Sequence, residues 1–357
     1  MWPMVQRVRE APRAGFQLAQ AVVTWQVRHG RNDLPWQGTT DPYRVWLSEI
    51  MLQQTQVSTV LAYYQRFLQT FPTVGALAAA PQDAVMQLWA GLGYYSRARN
   101  LHRAAQMVVA EFGGSFPQTA EQLQRLPGVG ASTAAAIAAF CFGQRDAIFD
   151  ANVQRVLARY WGYSADLGRS AHKNELWAFA KTLLPQHDLA KTMPAYTQGI
   201  MDLGAIVCKA RQPVCSACPL ASDCAALAGG QPTALPHISK TLKRREQAMY
   251  LHWQQRGDTQ RLERRPSKGI WGGLYCLPEV SAEHYAALTA QEGAVRLPVV
   301  KHVLTHRDLQ LHIVQQYGVG DAGATKDAAG QQADWFGLPQ IRGLGLPQPI
   351  AKLLGSA

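Results

Sequence analysis

Cys208, Cys215, Cys218 and Cys224 stand at the spacing C-x6-C-x2-C-x5-C. Four thiolates so close in sequence can close one tetrahedral metal site or hold one iron-sulfur cluster. Pro213 and Pro219 favour a preformed turn around such a centre. The spacing alone leaves zinc and [4Fe-4S] both open. Only Cys141 and Cys276 lie outside the group, so cysteine usage fits an intracellular metal protein and not a disulfide scaffold.

Two carboxylates are the next candidates. Asp41 followed by Pro42 opens a helix that continues through Val45, Trp46, Leu47, Ile50, Met51 and Leu52, with Asp as N-cap and Pro at the first position. Apolar side chains cover nearly its whole circumference, so the helix should be buried and Glu49 with it. Burial raises a carboxyl pKa, which suits a general acid near neutral pH; the other reading is a structural ion pair with Arg44. Asp150 precedes a helical stretch at residues 152–160 and is a natural N-cap. The same position lets the helix N-terminus keep a carboxylate ionised. One neutral acid and one anionic carboxylate form the pair that glycosidic bond cleavage requires.

Between them lies a turn that exposes backbone. Thr119 and Gln122 form a capping box, and the helix they open runs to Leu126. Leu126-Pro127-Gly128-Val129-Gly130 then leads into a small-residue helix at residues 131–140. Two glycines let amide N–H groups approach a phosphate at a helix N-terminus, a contact that positions DNA without reading its sequence. An ordinary helix-helix turn has the same pattern.

These residues must be positioned by a largely helical body. Residues 15–227 show alanine-rich, 3.6-period stretches punctuated by Pro and Gly. Residues 228–246 hold Gly229, Gly230, Pro232 and Pro236 and the basic run Lys240, Lys243, Arg244 and Arg245, and read as a linker. Residues 247–357 alternate β-rich runs (249–253, 274–277, 299–305, 309–317) with one helical stretch at 281–291, which is an α+β pattern. The chain of 357 residues is 47% hydrophobic, enough for two or three domains with real cores. Its formal net charge of +11 points to a polyanionic partner, of which nucleic acid is the natural candidate. No stretch approaches the roughly 20 apolar residues of a membrane span. The start carries Arg7, Arg9 and Arg13 without an apolar run, so a secretory signal is not expected; a weak transit segment is the alternative. The expectation is a soluble, cytoplasmic, nucleoid-associated monomer.

The runs Leu34-Pro35-Trp36, Trp46 to Val57 (WLSEIMLQQTQV), Gly91 to Leu101 (GLGYYSRARNL) and Leu126 to Gly130, with Asp150 and the four cysteines, closely resemble the MutY family of adenine-DNA glycosylases, within the helix-hairpin-helix superfamily of endonuclease III. The resemblance covers nearly the whole chain. It implies a mainly α helix-hairpin-helix core, a C-terminal Nudix-like α+β domain, and removal of adenine mispaired with 8-oxoguanine or guanine in double-stranded DNA. It also implies that the cysteines hold a [4Fe-4S] cluster. Residue by residue, it makes Glu49 the acid that protonates the departing adenine and Asp150 the carboxylate facing the sugar, with Asn152 orienting that chemistry. Ala151 stands where the family usually has Gly.

The adenine must leave the duplex before it is protonated. The resemblance makes Gln54 and Tyr94 wedge residues, and places Gln53, Gln54, Thr55 and Tyr94 around 8-oxoguanine and Gln198 on the flipped adenine. Gly128, Gly130 and Ser132 belong to its DNA contacts. Read as residues alone, Tyr94 is as readily core and the Gln-rich run a solvated helix end. Bifunctional relatives carry a Schiff-base lysine where this chain has Ser132, so little or no strand cleavage is expected.

Residues 266–275 (PSKGIWGGLY) resemble the Nudix-like recognition domain of the same family, without the glutamate-rich run that a working Nudix hydrolase needs. The family's Phe-Ser-His loop has its counterpart in Leu304-Thr305-His306, so Thr305 and His306 become candidate contacts to the damaged strand. Two other readings stand beside this one: an endonuclease III-like glycosylase for another base, and a metal-containing DNA-binding protein in which Glu49 and Asp150 are structural.

Overall fold

A computed structural model describes residues 11–239, 244–318 and 334–355. Arg7, Arg9, Lys240 and Lys243 lie outside the described residues. By its contacts the chain divides into one unit of residues 1–64, 73–75 and 103–241 and a second of residues 65–72, 76–102 and 242–357.

The first unit is helical. Its elements are α1 (Ala11–His29), α2 (Pro42–Leu52), the first part of α3 (Val57–Thr70), α4 (Val74–Ala79), which it shares with the second unit, and, after α5 (Gln82–Trp89) in that unit, the end of α6 (Ser96–Phe112). There follow α7 (Ala120–Leu123), α8 (Ala131–Phe142), α9 (Ala151–Trp161), α10 (Ser170–Thr182), α11 (Leu189–Asp202) and the short α12 (Ala225–Ala228). The Asp41 side chain caps α2 by accepting from Tyr43 N–H, with Pro42 in the first turn. Thr119 caps α7 by accepting from Gln122 N–H, which is the N-cap half of the predicted box. That helix stops at Leu123 and not at Leu126, because Leu126 N–H turns back to Leu123 and Pro127 cannot continue an α-helix.

The core of this unit joins Leu18 and Val22 of α1 to Val153, Val156 and Leu157 of α9, Leu176 of α10 and Tyr196 and Ile200 of α11. Helix α8 buries Ala134 to Ala139 without interruption. Side chains that small let α2 and α11 both lie against it. Past Asp202 the α11 backbone widens into a π-helical turn, Leu203–Val207, that delivers Cys208.

The second unit is built on a mixed sheet: β1 (Arg245–Arg256), β2 (Thr259–Arg264), β3 (Tyr275–Cys276), β4 (Glu279–Val280), β5 (Val295–Arg296), β6 (Val300–Val303), β7 (Arg307–Tyr317) and β8 (Asp334–Gly337). The central order is β3-β2-β1-β7-β5, with β4 paired to β1, β6 to β7 and β8 to β2. Strands β1 and β7 run parallel from Arg245 opposite Arg307 to Gln255 opposite Tyr317. Helix α13 (Ala282–Thr289) packs Tyr285 and Leu288 against Val314, and α14 (Leu338–Ile341) and α15 (Gln348–Leu353) close the chain. No helix among the described residues is long and apolar enough to cross a membrane.

Candidate active site

A cavity of about 660 Å³ opens in the helical unit, and Glu49, Gln53, Ser132, Asp150 and Gln198 all line it. Helix α2 buries Tyr43, Val45, Trp46, Leu47, Ser48, Ile50 and Met51. Glu49 itself is half-buried. The helix is buried as expected, and Glu49, its one acidic residue, keeps partial exposure because it lines the cavity, while its carboxyl is desolvated there. Arg44 pairs with Asp41 at 3.6 Å. Desolvation pushes the Glu49 carboxyl up to about 7, and the nearby Asp150 carboxylate adds to the rise. A carboxylic acid poised there can hold a proton at neutral pH and release it.

Asp150 caps α9, its side chain accepting from Val153 N–H at 2.8 Å. The backbone just before it is held from α8: Ser132 Oγ accepts from Phe149 N–H at 2.8 Å. Ser132 therefore fixes the irregular segment that delivers Asp150 as well as lining the cavity. Asn152 does not line the cavity; its Nδ2 donates to Asp150 Oδ2 at 3.4 Å.

Behind that pair stands Arg155, three residues on from Asn152 and on the same face of α9. Its guanidinium donates to Asn152 Oδ1 at 2.8 Å, to the Gly204 carbonyl at 2.7 Å and to the Cys208 carbonyl at 2.8 Å. At Gly204 the two segments nearly touch, for a Cβ there would lie 2.6 Å from Asn152 Cβ. One turn further, Arg159 is 2% exposed and donates to the carbonyls of Lys209, Ala210 and Leu235 and to Cys208 Sγ at 3.3 Å.

The four candidate thiols share one cavity with Arg159, Val207, Pro213, Leu227 and Pro232. Burial pushes Cys218 up to about 11 and raises Cys224, and neighbouring thiols add to both. Among the described residues no set of three or more His, Cys, Asp or Glu side chains converges on a single-ion position. Four thiols on one small cavity are a donor set that a four-ligand metal or iron-sulfur centre can use.

On α11, Gln198 Nε2 donates to Asp202 Oδ1 at 2.8 Å. Asp202 is fully buried and takes Arg31 as well, at 2.6 Å from Nη2 and 2.9 Å from its backbone N–H. Gln53 Nε2 reaches Thr133 Oγ1 at 3.4 Å. Gln54 is exposed and holds φ at +58°, and Thr55 closes the turn with its N–H on Leu52 O. Gly128 adopts φ +82° in the hairpin, where a side chain would be strained, and Gly130 is the N-cap of α8.

The second unit holds another hollow, of about 540 Å³, lined by Tyr94, Arg99, Trp271, Thr305 and His306 among others. Tyr94 is 43% exposed with φ +49°, so it is not core. Its hydroxyl shares a short hydrogen bond with Thr305 Oγ1. Thr305 and the exposed His306 form the tip between β6 and β7.

Residues 47–182 match the HhH-GPD superfamily of base excision DNA repair proteins, and residues 248–356 match the NUDIX domain. The adenine DNA glycosylase of Buchnera aphidicola subsp. Baizongia pistaciae is 32% identical over 348 residues, spanning 94% of this chain and 95% of its own. The chain belongs to the adenine DNA glycosylase family. The human adenine DNA glycosylase is 45% identical over 215 residues, which are 58% of this glycosylase and 38% of the human chain. A thermostable thymine-DNA glycosylase of known structure superposes with a TM-score of 0.53 at 27% identity, over 62% of this chain and 99% of that one. An endonuclease III–DNA complex, at 22% identity and a TM-score of 0.50 over 62% and 97%, shares the fold.

Sequence reasoning passes over four residues of the glycosylase site: Arg31, Asp202, Arg155 and Gln37. Two carried a signal in their spacing, since Asp202 follows Gln198 by four and Arg155 follows Asn152 by three. Arg31 and Gln37 sit in irregular chain between α1 and α2, where no period announces a role.

Proposed function

We propose that this glycosylase hydrolyses the N-glycosidic bond of adenine mispaired with 8-oxoguanine or guanine in double-stranded DNA, leaving an abasic site. The observation that carries the reading is the pairing of Glu49, raised to about 7, with the helix-capping Asp150 on one cavity. Glu49 gives its proton to the departing base, which makes it a neutral leaving group. Asp150 faces the deoxyribose and stabilises the cation-like sugar or bonds to its anomeric carbon, after which water completes the hydrolysis. Asn152 steadies the Asp150 carboxylate. The flipped adenine occupies the cavity beside Gln198.

Gly128 and Gly130 grip a phosphate with backbone N–H groups, while Gln54 and Tyr94 fill the gap in the duplex. Both hold left-handed backbone, a conformation that costs energy for residues other than glycine and is retained where the surroundings fix it. Gln53, Thr55, Thr305 and His306 read the damaged strand. Ser132 cannot form an imine, so the enzyme does not cleave the strand by that route. Cys208, Cys215, Cys218 and Cys224 would hold a [4Fe-4S] cluster, which when bound supplies a rigid, charged fastening for the loop. The enzyme works as a monomer in the compartment that holds the chromosome, the cytoplasm of a bacterial cell.

The test uses duplexes carrying one 8-oxoguanine:A pair, one G:A pair or one oxidised pyrimidine, with abasic sites then cleaved by alkali. Breaks at the adenine strand support the reading. Breaks only at the oxidised pyrimidine, or binding without breaks, overturn it.

A further inference from the structure

Two glutamine amides on the cavity are each locked by one end. Gln198 gives its Nε2 to Asp202, and a carboxylate oxygen accepts, so turning the amide around would set its oxygen against that acceptor. Arg31 also donates to Asp202 Oδ1, from Nε at 2.8 Å and from Nη2 at 2.6 Å, and to Oδ2 from its backbone N–H at 2.9 Å. The free end of Gln198 is therefore its Oε1, an acceptor. Gln37 has the opposite arrangement. Its Oε1 takes Leu34 N–H at 3.1 Å, and its Nε2 is buried with no hydrogen-bond partner among the described residues. An orphaned buried donor is costly unless something arrives to meet it. Both side chains line the same cavity.

We infer that Asp202 and Arg31 are positioning residues that set a fixed acceptor, Gln198 Oε1, which together with the fixed donor Gln37 Nε2 selects 6-aminopurines over 6-oxopurines. This rests on reading the cavity as the adenine site. The 6-amino group of adenine donates and its ring N1 accepts, complementary to that pair. A 6-oxopurine such as hypoxanthine or guanine presents an accepting O6 and a donating N1–H, so both contacts invert. A site built from buried polar groups rejects the mismatched edge strongly because those groups are left unpaired. Asp202 does not line the cavity, whereas Arg31 does. Asp202 acts through Gln198, and Arg31 through Asp202.

Single-turnover excision is compared for adenine and hypoxanthine placed opposite 8-oxoguanine in otherwise identical duplexes. The wild-type enzyme is expected to favour adenine by about 100-fold or more. Asp202→Asn replaces an obligate acceptor with a group that can also donate, which frees Gln198 to turn. The adenine-to-hypoxanthine ratio should then fall about tenfold or more. A merely structural role for Asp202 would lower both rates by one factor, and an unchanged ratio overturns the inference. Gln37→Glu, on the irregular chain between α1 and α2, replaces the donor with an acceptor without a change of size and should lower the same ratio; an unchanged ratio there overturns the donor half. A wild-type enzyme that releases adenine, with Asp202→Asn leaving selectivity intact, sinks this inference alone. A wild-type enzyme that releases no adenine from any mispair sinks the proposed function and this inference with it.

Discussion

Arg155 donates to the side chain of Asn152 at 2.8 Å while its other contacts reach the carbonyls of Gly204 and Cys208. One guanidinium thus connects the first thiol's loop to the residue that steadies Asp150. Arg155→Lys retains the charge but cannot span three acceptors with a planar fork. Single-turnover excision should fall about 10- to 100-fold, the scale of a small misplacement at a reacting centre, with DNA affinity nearly unchanged in a filter-binding titration.

Glu49→Gln removes the transferable proton and keeps the shape. Excision should fall by about 100- to 10,000-fold, while binding to an 8-oxoguanine:A duplex persists. In the wild-type enzyme, single-turnover rate should decline as pH rises through about 7, where Glu49 gives up its proton. The same shift bears on stability. The folded state holds the Glu49 proton over a range where the unfolded chain has released it, so this group's contribution weakens as pH climbs from about 4.5 to about 7. Thermal unfolding of Glu49→Gln should lack that part of the pH slope.

Asp150→Asn separates structure from chemistry. Asparagine is as good an N-cap as aspartate, so α9 should keep its start and the melting temperature should change little. On the proposed mechanism, replacing the carboxylate with an amide should nonetheless slow excision by at least about 100-fold. A variant that unfolds early and excises normally would reverse both halves of this expectation.

If the cysteines hold the proposed cluster, Cys218→Ser should abolish iron binding and visible absorption, measured by metal analysis and spectrum on the native enzyme. Circular dichroism should show earlier thermal unfolding, because a metal bound only by the folded chain stabilises that chain. Stoichiometric zinc in the wild-type protein, without iron, would contradict the cluster assignment.

The helical half was legible because its rules are local. Asp41-Pro42, Thr119 with Gln122, and Asp150 each announce a helix start within four residues, and all three side chains act as N-caps, Thr119 through one half of its box. In the second unit β1 and β7 were read from their apolar alternation, but β2, Thr-Gln-Arg-Leu-Glu-Arg, was not. It carries one aliphatic residue, and neighbours on both sides make it a strand. Nor does any local pattern place residues 76–102 with the C-terminal sheet. At the cavity, Glu49, Asp150 and Gln198 stand where the motifs direct attention. The second rank, Arg31, Asp202 and Arg155, became visible only when chain segments far apart in sequence met, as Arg31 and Asp202 do across 171 positions.

Glycine at 204 sets the spacing between the thiol loop and α9, and the gap has no slack. An alanine there would carry its methyl into Asn152, and relief could come only by tilting α9 or by lifting the π-helical turn. Either movement travels straight to Asp150, the cap of α9. A single methyl group, placed well away from any base or phosphate, would thus act as a shim that throws the whole cutting edge out of true.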